Sequence, residues 1–244
     1  MIKGKQRMKI LALDSSGLVA SAAIVAEDVT IAEYTVNHKK THSQTLLPML
    51  DEIRRMTELD LSTIDAIAIA CGPGSFTGLR IGAATAKGLG LALNIPIIPV
   101  PTVDSLAYNL YGSEKIICPL MDARRNQVYT GLYTFKDGEL VTIEPQCAVD
   151  IAQILDKINA VGKEAVFLGD GVCVYKERLE ELTRVSFDIA PACCNRQRAA
   201  CVASLGEILY RKGIFESAAQ HAPEYLRLSQ AERERNQKSG GGCL

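Results

Sequence analysis

Ten residues carry the most conspicuous chemistry of the chain: Cys71–Arg80, "CGPGSFTGLR". They follow the apolar run "IDAIAIA" and precede "IGAATAKGLGLAL". A glycine-rich turn between a strand and a helix presents backbone N–H groups at the helix start, where an anion can settle. Gly72, Gly74, Ser75, Thr77 and Gly78 are therefore the candidate anion or nucleotide contacts. Two generic phosphate motifs are excluded by counting. A Walker loop needs a second glycine where Thr77 stands, and the G-x-G-x-x-G pattern started by Gly72 and Gly74 also ends on Thr77. The same glycines would serve a tight turn and close helix packing, so spacing alone leaves both readings open.

Other reactive residue types are scattered. His38 and His42 stand four apart in "HKKTH", but His38 lies upstream of the expected helix cap at Thr41 or Ser43, and no H-E-x-x-H glutamate accompanies them. Surface or lobe-edge histidines are expected, and His221 earns no separate role. Ser75 has no identifiable histidine–aspartate relay, so a hydrolase triad is not supported. "DARRNQ" puts Arg124 and Arg125 side by side in a turn, as an anion or RNA contact or as a solvated turn. The eight cysteines, at 71, 118, 147, 173, 193, 194, 201 and 243, form no C-x-x-C pair and read as reduced thiols of a cytoplasmic protein.

The bulk properties narrow the class. The chain has 244 residues, 48% hydrophobic and 23% charged, with a formal net charge of −1. That composition is globular, and the charge argues against coating nucleic acid by bulk attraction. No stretch reaches the roughly 18–20 apolar residues of a membrane span, and Asp14 interrupts the first apolar run, so the beginning reads as a strand rather than an exported leader.

The elements that must position these residues come in a repeated order. "KILALDSSGLVASAAIVAEDVTIAEYTV" reads as three strands. A helix over His42–Leu59 follows, with Pro48 expected to kink its opening or delay its start. Then come a buried strand "IDAIAIACG", a helix over Phe76–Leu93 and a proline-ended strand "IPIIPVP". The order restarts with "KIICPLMDARRNQVYTGLYTFKDGELV", the helix "VDIAQILDKINA", the strand "EAVFLGDGV", the helix "YKERLEEL" and the helix "RAACVASLGEILYRKGI". This duplication predicts an α/β protein of two lobes with mixed sheets and flanking helices. The expected lobes are 1–101 and 102–235, with a loose tail at 236–244.

The segments "ILALDSS", "HSQTLLPML", "GPGSFTGLRIG", "DARRNQVYTGLY" and "APEYLRLSQAE", in that order, make the chain resemble the TsaB (YeaZ) family. The resemblance runs from about Met8 to Glu232. It implies the actin-like fold shared with sugar kinases and Hsp70, and a non-catalytic subunit of the bacterial machinery that forms threonylcarbamoyladenosine beside the tRNA anticodon. The implied partners are a TsaD-like transferase and a TsaE-like ATPase, with a second copy of this chain as an alternative, tRNA met through the complex, and no membrane. ATP or ADP and a metal are expected in the assembled complex and no cofactor in this subunit. The transferase relative holds its metal through H-x-x-x-H, and the two histidine positions fall here on Thr102 and Leu106, neither an imidazole. In an actin-like cleft Asp14, Asp122 and Asp170 would sit where phosphate or metal contacts belong, or they form and cap turns. A peptidase and a small-molecule kinase of the same fold are the competing readings. The resemblance also implies pairing through the two first-lobe helices. Their candidate surface is Leu46, Leu50, Ile53 and Met56 on one helix and Gly78, Gly82, Ala83, Ala86 and Gly90 on the other, although both stripes could pack on the lobe's own sheet.

Overall fold

The computed structural model describes residues 8–38 and 41–227. The first part of the chain forms β1 (Lys9–Asp14), β2 (Ala20–Ala26), β3 (Val29–Val36), α1 (His42–Met56), β4 (Ala66–Gly72), α2 (Phe76–Leu93) and β5 (Ile97–Pro101). There follow α3 (Thr102–Ala107), β6 (Ile116–Asp122), β7 (Gln127–Lys136), β8 (Glu139–Asp150), α4 (Ile151–Val161), β9 (Ala165–Leu168), α5 (Gly171–Val174), α6 (Lys176–Leu182), β10 (Phe187–Ile189) and α7 (Ala199–Arg211).

The duplication is exact in topology. One five-stranded sheet has the order β3-β2-β1-β4-β5 and the other β8-β7-β6-β9-β10. In each, the first strand pairs antiparallel with the second and parallel with the fourth. These are the two α/β lobes of an actin-like fold, with mixed sheets. β1 and β4 are almost entirely apolar and buried because both faces of their sheet are covered. On one face lie α1 and α2, whose Leu46, Ile53 and Ala86 join Leu11, Leu13, Ile67 and Ile69 in a single cluster. On the other lies α7, with Val202, Ala203 and Leu205 against Ala12, Ala68 and Val100. Gly206 lets α7 come so near that an added Cβ would stand 2.8 Å from that of Ala68.

Two expectations change. The second lobe does not extend to 235, because α7 returns to the first sheet and residues 214–227 run on along that lobe. Glu216 exchanges both backbone hydrogen bonds with Ile97, at 2.8 and 2.9 Å, extending the first sheet beyond β5. Residues 228–235 and the expected tail at 236–244 lie outside the described residues. The second change is at Pro48, which does not delay α1: the helix starts at His42 and continues through it. Gln44 and Pro48 both face solvent there, so water can serve the carbonyl that proline's missing N–H leaves free.

Candidate functional site

A cleft of about 850 Å³ separates the lobes. Its first-lobe wall is the turn after β1 together with the glycine loop between β4 and α2. The two are joined by a backbone bond and a side-chain bond: Ser75 N–H donates to Ser16 O at 2.7 Å, and Ser15 Oγ–H donates to Gly78 O at 2.9 Å. A Cβ on Gly74 would stand 2.3 Å from Ser16 O, and one on Gly78 only 2.1 Å from Ser15 O. These glycines therefore serve close approach. Several loop N–H groups also have protein acceptors already: Gly72 N–H uses Thr102 Oγ1 at 3.1 Å, and Gly78 N–H uses the cap Ser75 Oγ at 3.3 Å. What the loop still offers an anion is the start of α2 at Phe76 and Thr77, the ordinary open donors of a first helical turn.

The second-lobe wall is the turn after β6. Asp122 Oδ1 accepts from Arg124 N–H at 2.8 Å and from Tyr175 Oη–H at 3.1 Å. Arg124, Arg125 and Asn126 all take positive φ, at 62°, 57° and 58°. Both arginine side chains are exposed and line the cleft.

Two carboxylates stand by the cleft, Asp170 in its lining and Asp14 behind the lining turn that holds Ser16. Asp14 is fully buried. Its Oδ1 accepts from Ser16 N–H at 2.9 Å and Ser16 Oγ–H at 2.6 Å, while Oδ2 has no hydrogen-bond partner in the chain. Burial pushes its carboxyl up to about 6, with the Ser16 hydrogen bonds and His42 pulling the other way. Asp170 Oδ1 is likewise buried without a partner, and burial raises its carboxyl too, against a backbone hydrogen bond and Arg196. Gln197 is buried with both amide atoms unpaired and lies against Gly17, whose added Cβ would stand 2.6 Å from Nε2.

The structure sorts the remaining expected residues. Thr102 is buried as the acceptor for Gly72 N–H, and Leu106 packs in the second lobe's core beside Val103 and Tyr133. Neither position fits a metal: one oxygen is engaged and the other side chain has no donor atom. His42 opens α1 and its Nε2 lies 2.8 Å from Gly17 O, whereas His38 precedes the helix. Among the described residues no group of three or more His, Cys, Asp or Glu is arranged to hold a metal. The seven described cysteines are unbridged, and Cys243 lies outside the described residues.

The expected helix surface divides. Leu46 and Ile53 are in the lobe's own core, with Leu50 half-buried against it. Gly78, Gly82, Ala83, Ala86 and Gly90 are buried. Gly82 admits Ser15 Oγ, and Gly90 admits Ala218, whose Cβ would be 2.8 Å away. The small residues thus accommodate this chain's own turn and returning segment, not an incoming helix. Of the expected stripe only Met56 projects outward, 72% exposed, with Leu47 and Leu91 beside it in exposure at 56% and 61%.

Sequence reasoning missed the segment that closes the cleft, residues 222–227. Glu224 N–H donates to Cys71 O at 2.7 Å, and Gly72, at φ 131°, leaves only 2.1 Å between an added Cβ and Glu224 O. Tyr225 packs on Phe76 with ring centroids 4.7 Å apart and planes tilted by 33°, and Arg80 lies over the Phe76 ring at 4.1 Å. Arg227 reaches across to the second lobe and donates to Ala123 O at 2.5 Å. The signal available was "APEYLR" itself, an extended stretch with aromatic and basic residues and no core periodicity.

Comparison with known proteins agrees with this architecture. Residues 30–235 match the family model described as TsaD, tRNA N6-adenosine threonylcarbamoyltransferase. A Bacillus subtilis protein named tRNA threonylcarbamoyladenosine biosynthesis protein TsaB is 36% identical over 92% of this chain and 96% of its own. The Escherichia coli protein of that name is 28% identical over 90% and 95%. The solved structure of YeaZ from Pseudomonas aeruginosa superposes with a TM-score of 0.77 at 29% identity, covering 90% of this chain and all of that one.

Proposed function

The chain belongs to the TsaB family, and from that premise we propose that it is the supporting, non-catalytic subunit of the assembly that forms threonylcarbamoyladenosine in tRNA. The observation that carries the non-catalytic part is the fate of Thr102 and Leu106. Where the transferase relative holds a metal through two imidazoles, this chain has a threonine engaged with the glycine loop and a leucine in the core. Such side chains supply packing rather than Lewis acidity.

What the chain supplies instead is surface. The exposed apolar side chains of α1 and α2, Leu47, Met56 and Leu91, fit burial against a TsaD-like transferase, or against a second copy when the transferase is absent. Interfaces of this kind depend on a few buried anchors worth more than about 1 kcal/mol each. A TsaE-like ATPase joins the same assembly in the cytoplasm. ATP or ADP and the metal belong to that assembly, and tRNA is met through it. No helix among the described residues is long and apolar enough to cross a membrane.

The test is co-purification with the transferase, followed by a modification assay on unmodified tRNA with the chain present or omitted. The expected result is a stable complex, product only when both proteins are present, and none from this chain alone. Product from this chain alone would overturn the proposal.

A further inference from the structure

Among the described residues five arginines are ion-paired, and three that line the cleft are not. Arg54, Arg55, Arg178, Arg198 and Arg211 each sit on a carboxylate. Arg124, Arg125 and Arg227 line the cleft and form no ion pair with any described carboxylate. Their backbone is held in place. Asp122 fixes Arg124 N–H, Ala123 N–H donates to Gln127 O at 2.9 Å, and Gln127 N–H donates to Arg124 O at 3.1 Å. Arg227 spends one N–H on Ala123 O, and a guanidinium has five. Three consecutive residues in left-handed conformation carry strain that a merely solvated turn does not need. Across the cleft stand the paired rings of Phe76 and Tyr225, also in its lining.

Unpaired arginines beside aromatic rings are a combination that binds single-stranded nucleic acid: cations follow phosphates, and ring faces take bases without demanding a sequence. Resting on the proposed role in tRNA modification, we infer that this cleft mouth is an RNA contact. Arg124, Arg125 and Arg227 meet phosphodiesters of a single-stranded tRNA segment, and Tyr225 offers its ring to a base. The distribution of charge favours a strand over a free nucleoside triphosphate. A triphosphate drawn to the Asp170 side of the cleft would meet a buried carboxylate oxygen without a partner, whereas Arg124 and Arg125 stand exposed at the solvent side.

The test titrates a fluorescent anticodon stem-loop RNA, over a series of salt concentrations, into the chain alone and into its complex with the transferase. In both, Arg124→Glu with Arg125→Glu should weaken binding roughly tenfold or more. It should also make the log–log salt slope shallower by about 1.4, two contacts at about 0.7 each. Tyr225→Leu should weaken binding severalfold and leave the slope unchanged, since stacking carries no counterion release. If the charge reversal does not fold by circular dichroism, Arg124→Gln with Arg125→Gln answers the same question. Unchanged RNA affinity and slope in a folded double variant would overturn the inference. So would a double variant that loses ATP binding but keeps RNA, which would make the site one for a free nucleotide. Failure of the unaltered chain to co-elute with the transferase strikes the proposed function instead, and the titration of the chain alone still decides the RNA contact.

Discussion

The two lobes repeat one backbone plan and use it differently. Each has the same strand order, and each ends its first strand in an aspartate whose Oδ1 accepts the N–H two residues on: Asp14 from Ser16 at 2.9 Å, Asp122 from Arg124 at 2.8 Å. Each has a glycine at positive φ at or just after the end of its fourth strand, Gly72 at 131° and Gly169 at 105°, pressed on a carbonyl that an added Cβ would meet at 2.1 Å. In the first lobe the turn holds serines, is buried under the eighteen-residue α2, and encloses Asp14. In the second the turn holds arginines, stands in solvent, and the glycine opens only the four-residue α5. Backbone geometry is the conserved half of the duplication. The side chains have diverged into a packed wall and a charged wall.

The largest expected effect breaks the packed wall. Ala86 is fully buried in the first-lobe cluster, so Ala86→Glu places a charge with no partner there and should destabilise the chain by about 4 kcal/mol or more. Ala84 on the same helix is exposed, and Ala84→Glu should leave stability unchanged while weakening association with the transferase. Urea denaturation with gel filtration of the mixture separates the two.

Next in size is the pair of strained glycines. Gly169→Ala meets the carbonyl of Leu120, inside the core strand β6, and should cost about 3 kcal/mol. Gly72→Ala meets Glu224, on a returning segment that can move aside, and should cost about half as much. Equal losses in denaturation would mean that this segment is as integral to the first lobe as β6 is to the second.

A smaller effect, of opposite sign, concerns the aspartates. Asp14 titrates near 6 in the folded chain against an ordinary 3.8, so the folded state holds the proton more tightly. Its contribution to stability is favourable at low pH and is lost as pH rises from about 4 to about 6. A shift of that size sets a ceiling of about 3 kcal/mol on what ionised Asp14 costs at neutral pH. Asp14→Asn keeps an acceptor for Ser16 and should raise stability at pH 7 by about 1–2 kcal/mol, flattening the decline between pH 4 and 6. Asp122→Asn should shift stability far less. Melting curves across pH read both. The smallest expectation is that dithiothreitol leaves the melting temperature where it was, since the described cysteines are unbridged; a large drop would reveal a bridge.

Much of this plan was legible in the residues. α2 runs Phe76–Leu93, the bounds expected of the stretch between the glycine loop and the proline-ended strand, and the repeated strand order follows from the meander-then-alternation pattern. The target of each apolar face was not legible. Leu46 and Ile53 recur at helical spacing whether the stripe meets a partner or the lobe's own sheet, and only the packing decides for the sheet. Nor does the apolar face of α7 say which lobe it covers. The cleft wall was half legible: the glycine loop announces itself, but its closure by Glu224 and Tyr225 joins residues far apart in the chain, through an extended stretch that no periodicity marks.

The central claim is that this chain lends surface and not reactive groups, although unpartnered carboxylate oxygens remain in and behind its cleft wall. The most direct measurement is tRNA modification by the reconstituted assembly carrying Asp14→Asn with Asp170→Asn, alongside the unaltered chain and its omission. The account predicts that omission abolishes product and that the double variant, once shown to co-elute with the transferase, restores the full rate. A double variant that folds and binds the transferase yet leaves the tRNA unmodified would contradict it, and would return those carboxylates to the chemistry.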